Sequence, residues 1–219
     1  MKLLVIGDSF THGLELPDCP MHDGSVTSAP SKFSWARLLA NDLNADLVNL
    51  SIPGGSNTRI FRLAIDESIK NSYDLIICQW TEIARIDWQK DNRDFPVSAN
   101  STWLHKQEPT IRDYYKNFYN DNHSMQTWLT QVVALQNHFK QRKQPYLFVS
   151  MQGFKNISDR FRHIAECIDP ECYIGWPHEG FTEFMGDCPK GPGGHPLELG
   201  HERIADKIYE HIGNLGWLP

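Results

Sequence analysis

Long apolar runs are missing from this chain. No stretch of its 219 residues comes near the roughly 18 apolar positions that a transmembrane helix needs, so no membrane span is expected. Only four apolar residues, Leu3 to Ile6, follow Lys2 before Gly7-Asp8-Ser9 interrupts. That is too short for a secretory signal, and a cytoplasmic protein is expected. Positive charge is also scarce: 21 Lys and Arg stand against 27 Asp and Glu, a net charge of −6. A nucleic-acid partner held on a broad basic surface is therefore not expected. Cys19, Cys78, Cys167, Cys172 and Cys188 are odd in number and irregular in spacing, with no Cys-x-x-Cys pair. Reduced thiols are expected rather than a disulfide framework or a structural metal. No dinucleotide fingerprint and no Walker lysine motif occur, so no cofactor is implied. Internal repeats and low-complexity tracts are absent too.

What is present is enough for a packed core. Apolar residues make up 40%, which excludes a disordered chain. The length suits one domain over 1–219.

The order of elements is informative. Leu3 to Ile6 and Leu75 to Cys78 are unbroken apolar runs, as buried parallel strands are; Tyr146 to Ser150 reads as a further strand and Leu47 to Leu50 as a short one. Helical spacing links Trp35, Leu38, Leu39 and Leu43 behind Ser34 as cap. It also links Ile60, Phe61, Ala64 and Ile65. Further helices are expected over 126–142, 158–168 and 197–212. Residues 14–33 and 173–196 read as loop, and 86–124 show no clear period. Strands alternating with helices predict an α/β sandwich around a central parallel sheet. Ligands bind such sheets beyond the carboxyl ends of the strands. Gly7-Asp8-Ser9, Pro53-Gly54-Gly55 and Gln79-Trp80-Thr81-Glu82 fall at three such ends.

Ser9 follows the first strand, where its hydroxyl is presented at the sheet edge. A serine nucleophile needs a base, and histidine is the usual one. Among ten histidines, His195 stands out: it follows Gly193-Gly194 and precedes Pro196 at the entrance to the last helix. A glycine turn at Gly54 lets a backbone N–H approach a substrate closely. N–H groups of Ser9 and Gly54, with the Thr81 hydroxyl, would form an oxyanion hole. Each piece alone is weak, since a serine in such a turn is more often a cap. Asp8 reads as structural, accepting backbone N–H groups.

Together, three blocks resemble the SGNH hydrolases of the GDSL-type esterase superfamily. They are Val5-Ile6-Gly7-Asp8-Ser9-Phe10-Thr11-His12-Gly13, Val48 to Asn57, and His195 to Ala205. The resemblance implies a flavodoxin-like three-layer α/β/α sandwich and ester hydrolysis through an acyl-enzyme. It implies Ser9 as nucleophile, His195 as base and Gly54 as oxyanion donor. Two positions depart from the family pattern. Thr81 stands where the family's third block has its oxyanion Asn, and its reach is shorter. Pro192 stands where the family has its Asp, three residues before the His. The expectation is a Ser–His dyad, with a backbone carbonyl or water orienting His195, or Asp187 swinging in from the same loop. The run Trp80-Thr81-Glu82-Ile83-Ala84-Arg85 also resembles a divergent branch found in tailed phages and marine microbes.

Residues of about 86–125 form an aromatic-rich insertion, with Trp88, Phe95, Trp103, Tyr114, Tyr115, Phe118 and Tyr119. These rings either pack a lid or stack on a sugar. His12, Asn57, Trp80 and Arg85 are the candidate substrate contacts. The expected function is a serine esterase acting on an O-acyl ester, such as an O-acetyl carbohydrate. The rival is a catalytically degenerate SGNH-fold binding or structural module, which the Pro192 and Thr81 departures favour. The acyl group, the alcohol and the oligomeric state are not written in the sequence.

Overall fold

The computed structural model describes residues 1–20, 29–90, 93–97, 109–154 and 157–218. Five strands form one parallel sheet: β1 (Lys2–Ile6), β2 (Asp46–Asn49), β3 (Leu75–Trp80), β6 (Tyr146–Ser150) and β7 (Tyr173–Ile174). Their order is β2-β1-β3-β6-β7, every pairing parallel. Helices join them: α1 (Ser9–His12), α2 (Trp35–Asp42), α3 (Asn57–Lys70), α4 (Pro109–Asn117), α5 (Asp121–Arg142), α6 (Asp159–Ala165), α7 (Phe181–Met185) and α8 (Glu198–Asn214). A two-stranded antiparallel hairpin, β4 (Ile86–Lys90) and β5 (Arg93–Val97), leaves the end of β3.

The strands are apolar on both faces because both faces are covered. Successive side chains of a strand point to opposite sides. Leu4 and Ile6 meet Ile60, Trp128, Val132 and Phe139 from α3 and α5. Leu3 and Val5 meet Trp35, Leu39, Ile204 and Ile208 from α2 and α8. This is the three-layer α/β/α sandwich expected from the sequence.

Short elements depart from expectation. The 173–196 segment, read as loop, contains β7 and α7, too brief to show a period. The aperiodic 86–124 segment contains the β4–β5 hairpin and α4. Helix α5 starts at Asp121, not 126, because Asn120 accepts the His123 N–H and starts it on a polar turn. Ser34 takes the cap position of α2, but its hydroxyl donates to the Ser31 carbonyl instead (2.9 Å).

One contact between α2 and α8 has a pH signature. His201 of α8 is buried, and its Nδ1 accepts the Trp35 N–H at 3.1 Å. Burial, and then the charge of His195, push its pKa down to about 4. The unfolded chain takes up this proton near 6.5, and the folded one only near 4. Between those values the unfolded state binds more protons, so stability falls as pH falls, by up to ~3 kcal/mol. Urea unfolding measured from pH 7 to pH 4 should show this slope, and His201→Gln should flatten it. An equal slope in the variant would assign the acid sensitivity elsewhere.

Candidate active site

The first strand ends at Ile6, and Gly7 admits two side chains against its backbone. A Cβ there would lie 2.4 Å from Thr11 Oγ1 and 2.6 Å from Gln79 Oε1. That Gln79 oxygen accepts from the Asp8 N–H (2.9 Å) and from the Thr11 hydroxyl (3.0 Å). Asp8 caps α1 by accepting the Phe10 N–H at 2.9 Å, as its place in the turn suggested. Ser9 is thereby the first residue of α1, at the carboxyl end of β1, and 3% exposed. Its carbonyl is used by Gly13 and Leu14. Its hydroxyl and its N–H form no hydrogen bond among the described residues.

The loop after β2 is fastened to the same place. Ile52 N–H donates to the Gly7 carbonyl (3.4 Å), and Gly55 packs so closely that a Cβ would lie 3.2 Å from that oxygen. Gly54 takes φ +75°, a left-handed conformation that favours glycine. Its N–H is also unengaged among the described residues. Ser9 and Gly54 thus share one corner of the sheet.

His195 reaches that corner from the other end of the chain, its ring packed on Phe10 with centroids 5.7 Å apart. No hydrogen bond joins it to Ser9 among the described residues. The Glu15 carboxylate holds its ring where a backbone carbonyl or water was expected, so the expected dyad becomes a triad-like set. Glu15 Oε2 lies 2.9 Å from His195 Nδ1 and accepts the His195 N–H at 3.2 Å, while Oε1 accepts the Gly193 N–H at 2.7 Å. A carboxylate accepts only, so Nδ1 carries the proton and the Nε2 lone pair is left as the base. The Glu15 side chain is 5% exposed. Burial pushes its carboxyl up, but the Gly193 N–H and the His195 ring and N–H outweigh burial and hold it below its ordinary value. Gly191 is needed for this approach, since a Cβ there would sit 2.6 Å from Glu15 Oε2. Asp187 is not the acid: its side chain is 97% exposed and faces Arg203.

The polar groups of the remaining expected contacts bond within the protein, although Asn57 and Arg85 also line a small pocket of about 140 Å³. The Thr81 hydroxyl donates to Asp8 Oδ2 at 2.6 Å, which turns its proton away from an oxyanion at Ser9. Asn57 holds the end of β3, accepting the Thr81 N–H (2.8 Å) and donating to the Thr81 carbonyl (3.1 Å). Trp80 is in the core, edge-on to Phe148. His12 is buried, its Nδ1 donating to the Ser51 carbonyl at 3.0 Å. Arg85 pairs with Asp8 (2.8 Å) and Glu82 (3.4 Å).

Beside Thr81 opens a cleft of about 340 Å³ at the carboxyl ends of β3 and β6, lined by Ile83, Tyr119, Met125, Met151 and Phe154 among others. The insertion supplies part of its wall. Tyr115 donates to the Ala84 carbonyl at 2.6 Å and packs on Tyr114 and Tyr119, while Trp88 joins a small cluster with Val97 and Ile111. Phe118 is exposed. The side chain of Phe95 and the whole of Trp103 lie outside the described residues. No disulfide joins the cysteines among the described residues. No helix among the described residues is long and apolar enough to cross a membrane.

A model of a family of unknown function, DUF6071, matches residues 14–218. No curated protein matches the chain. Among solved structures, the chain is similar to TesA, with a TM-score of 0.57 at 15% identity, over 98% of this chain and 99% of that one. It is similar to the psychrotrophic esterase EstA from Pseudoalteromonas sp., inhibited by monoethylphosphonate, with a TM-score of 0.55 at 15% identity, over 98% and 97%. A third is a family two carbohydrate esterase from Clostridium thermocellum in complex with cellohexaose. That likeness has a TM-score of 0.58 at 15% identity and covers 99% of this chain but 65% of that one. The fold is that of the SGNH, or GDSL-type, esterases.

Proposed function

The chain belongs to the DUF6071 family of unknown function, and we propose that it is a serine esterase acting through an acyl-enzyme. The observation that carries this reading is Glu15 on His195 Nδ1 at 2.9 Å. An imidazole held by a buried acid, with its second nitrogen left over, is equipped to serve as base for a serine with no other duty. In the reaction Ser9 Oγ attacks the ester carbonyl as His195 Nε2 takes the hydroxyl proton. The carbonyl oxygen becomes an oxyanion facing the N–H groups of Ser9 and Gly54. Collapse of the intermediate expels the alcohol, which receives that proton from His195. Water, deprotonated by the same nitrogen, then attacks the acyl carbon, and His195 returns that proton to Ser9 Oγ as the acid leaves.

The substrate is an O-acyl ester, of which an O-acetyl carbohydrate is our choice. Two observations support it: the aromatic-walled cleft beside Thr81, and the carbohydrate esterase among the similar structures. A second reading is an SGNH-fold binding or structural module. It draws on the commitment of Thr81 to Asp8, which leaves the hole two donors.

Covalent labelling by a small neutral fluorophosphonate decides between them. The expected result is one phosphonyl adduct on the peptide bearing Ser9, absent from Ser9→Ala, together with hydrolysis of short acetyl esters. Native protein that carries no adduct and turns over no acetyl ester or acetylated sugar above the Ser9→Ala background supports the binding module.

A further inference from the structure

Asp8, next in sequence to Ser9, is fully buried. Its Oδ1 accepts the Phe10 N–H (2.9 Å), and its Oδ2 accepts both the Thr81 hydroxyl (2.6 Å) and Arg85 Nη1 (2.8 Å). The Arg85 side chain is only 12% exposed. Its Nε turns to Glu82 at 3.4 Å. The guanidinium is engaged by two protein carboxylates, although Arg85 also lines a small pocket of about 140 Å³ with Asn57 and Tyr114. A buried carboxylate without a cation is strongly unfavourable. This one would also stand one residue from the N–H on which an oxyanion must form, and like charges repel across so short a distance in a poorly screened site.

We propose that Arg85 is a positioning residue: by pairing with Asp8 through the 2.8 Å contact, it lets the Ser9 N–H receive an oxyanion without an opposing unpaired carboxylate. The inference rests on the esterase reading. It departs from the view of Arg85 as a contact for an anionic substrate. It also gives Thr81 a role, since its hydroxyl shares the neutralisation of the same oxygen. Asp8 stays in place as the cap of α1, and the cation decides whether that cap is compatible with the chemistry next to it.

The test compares Arg85→Met, Arg85→Lys and the double variant Asp8→Asn/Arg85→Met. The readouts are the rate of Ser9 labelling by a neutral fluorophosphonate, and kcat and KM on a neutral acetyl ester. Arg85→Met should slow labelling and kcat by about tenfold to a hundredfold, less than loss of a direct oxyanion donor costs, with KM nearly unchanged. Arg85→Lys should keep most of the rate, because a point charge still balances Asp8. The double variant should label at least about tenfold faster than Arg85→Met, since the amide keeps the cap and removes the unpaired charge. If Arg85→Met does not fold, the folded Lys and double variants decide, each expected within about tenfold of the native rate. A native rate in Arg85→Met, a loss confined to KM, or a double variant no faster than Arg85→Met overturns the proposal. Absence of labelling in the native protein instead overturns the esterase reading from which it starts.

Discussion

Glu15→Gln should lower kcat on an acetyl ester by roughly 10³–10⁴-fold, the scale on which losing the orienting acid acts in a serine triad. Three donors converge on the Glu15 carboxylate: the Gly193 N–H, the His195 N–H and His195 Nδ1. Gln offers one acceptor and one NH2, so in either orientation a donor faces a donor. With the NH2 toward the imidazole, Nδ1 must become the acceptor and the proton moves to Nε2. That nitrogen then has no lone pair for the Ser9 proton. With the NH2 toward Gly193, an N–H pair collides at the 2.7 Å contact and the 191–195 turn opens. KM should move little, because the acid acts through the base and not on the substrate. Fluorophosphonate labelling of Ser9 should slow in parallel. A kcat within about tenfold of native would show that Glu15 only clamps the loop and that His195 is oriented by other means.

Gly7→Ala should damage the fold and the site together. The added methyl would stand 2.4 Å from Thr11 Oγ1 and 2.6 Å from Gln79 Oε1, inside any permitted contact. Neither neighbour can step aside, since both are buried and bonded to each other, and Gln79 also donates to the Trp80 carbonyl at 2.8 Å. Overpacking of this kind costs about 1–3 kcal/mol or more, and displacing Gln79 also strands the Asp8 N–H. The expected sum is about 2–4 kcal/mol, read as a lower urea midpoint. Labelling of Ser9 should be lost even where the variant is still folded. A variant with native stability and a native labelling rate would mean that the β1–α1 turn tolerates a side chain and that the close packing at Gly7 is incidental.

The layered architecture is legible because its strands are unbroken apolar runs and its helices repeat their apolar residues on one face. Both are direct imprints of burial. Two-residue β7 and five-residue α7 carry no such imprint, being shorter than the period that would betray them. In the site, Ser9, Gly54 and His195 are marked by local chemistry at turns. Glu15 is not: it sits in a loop at φ +74° and meets its partner 180 positions later. One signal does exist. Glu15 lies between Leu14 and Leu16, both buried, and an acid flanked by two leucines in a polar loop suggests an inward carboxylate. The Asp8–Thr81 contact was also within reach. β1 pairs β3 in parallel with Leu3 opposite Leu75 and Ile6 opposite Cys78. Extending that register past the strands sets Asp8 and Ser9 beside Trp80 and Thr81. The family pattern, with an outward-facing Asn at this position, points away from this inward contact.

The placement of Glu15 also has a temporal meaning. Serine and acid lie within one early segment, fixed by α1 and the turn that follows it, whereas the imidazole arrives with the segment leading into α8. During synthesis the ribosome releases Ser9 first and His195 near the end. A nascent chain short of His195 would hold Ser9 and Glu15 without the Gly193 and His195 donors that engage the Glu15 carboxylate. The 180-position closure is one of the most distant contacts in the molecule, and such contacts form late because chain entropy opposes them. If the proposed roles hold, an intermediate whose last helix has not docked would lack a base for Ser9.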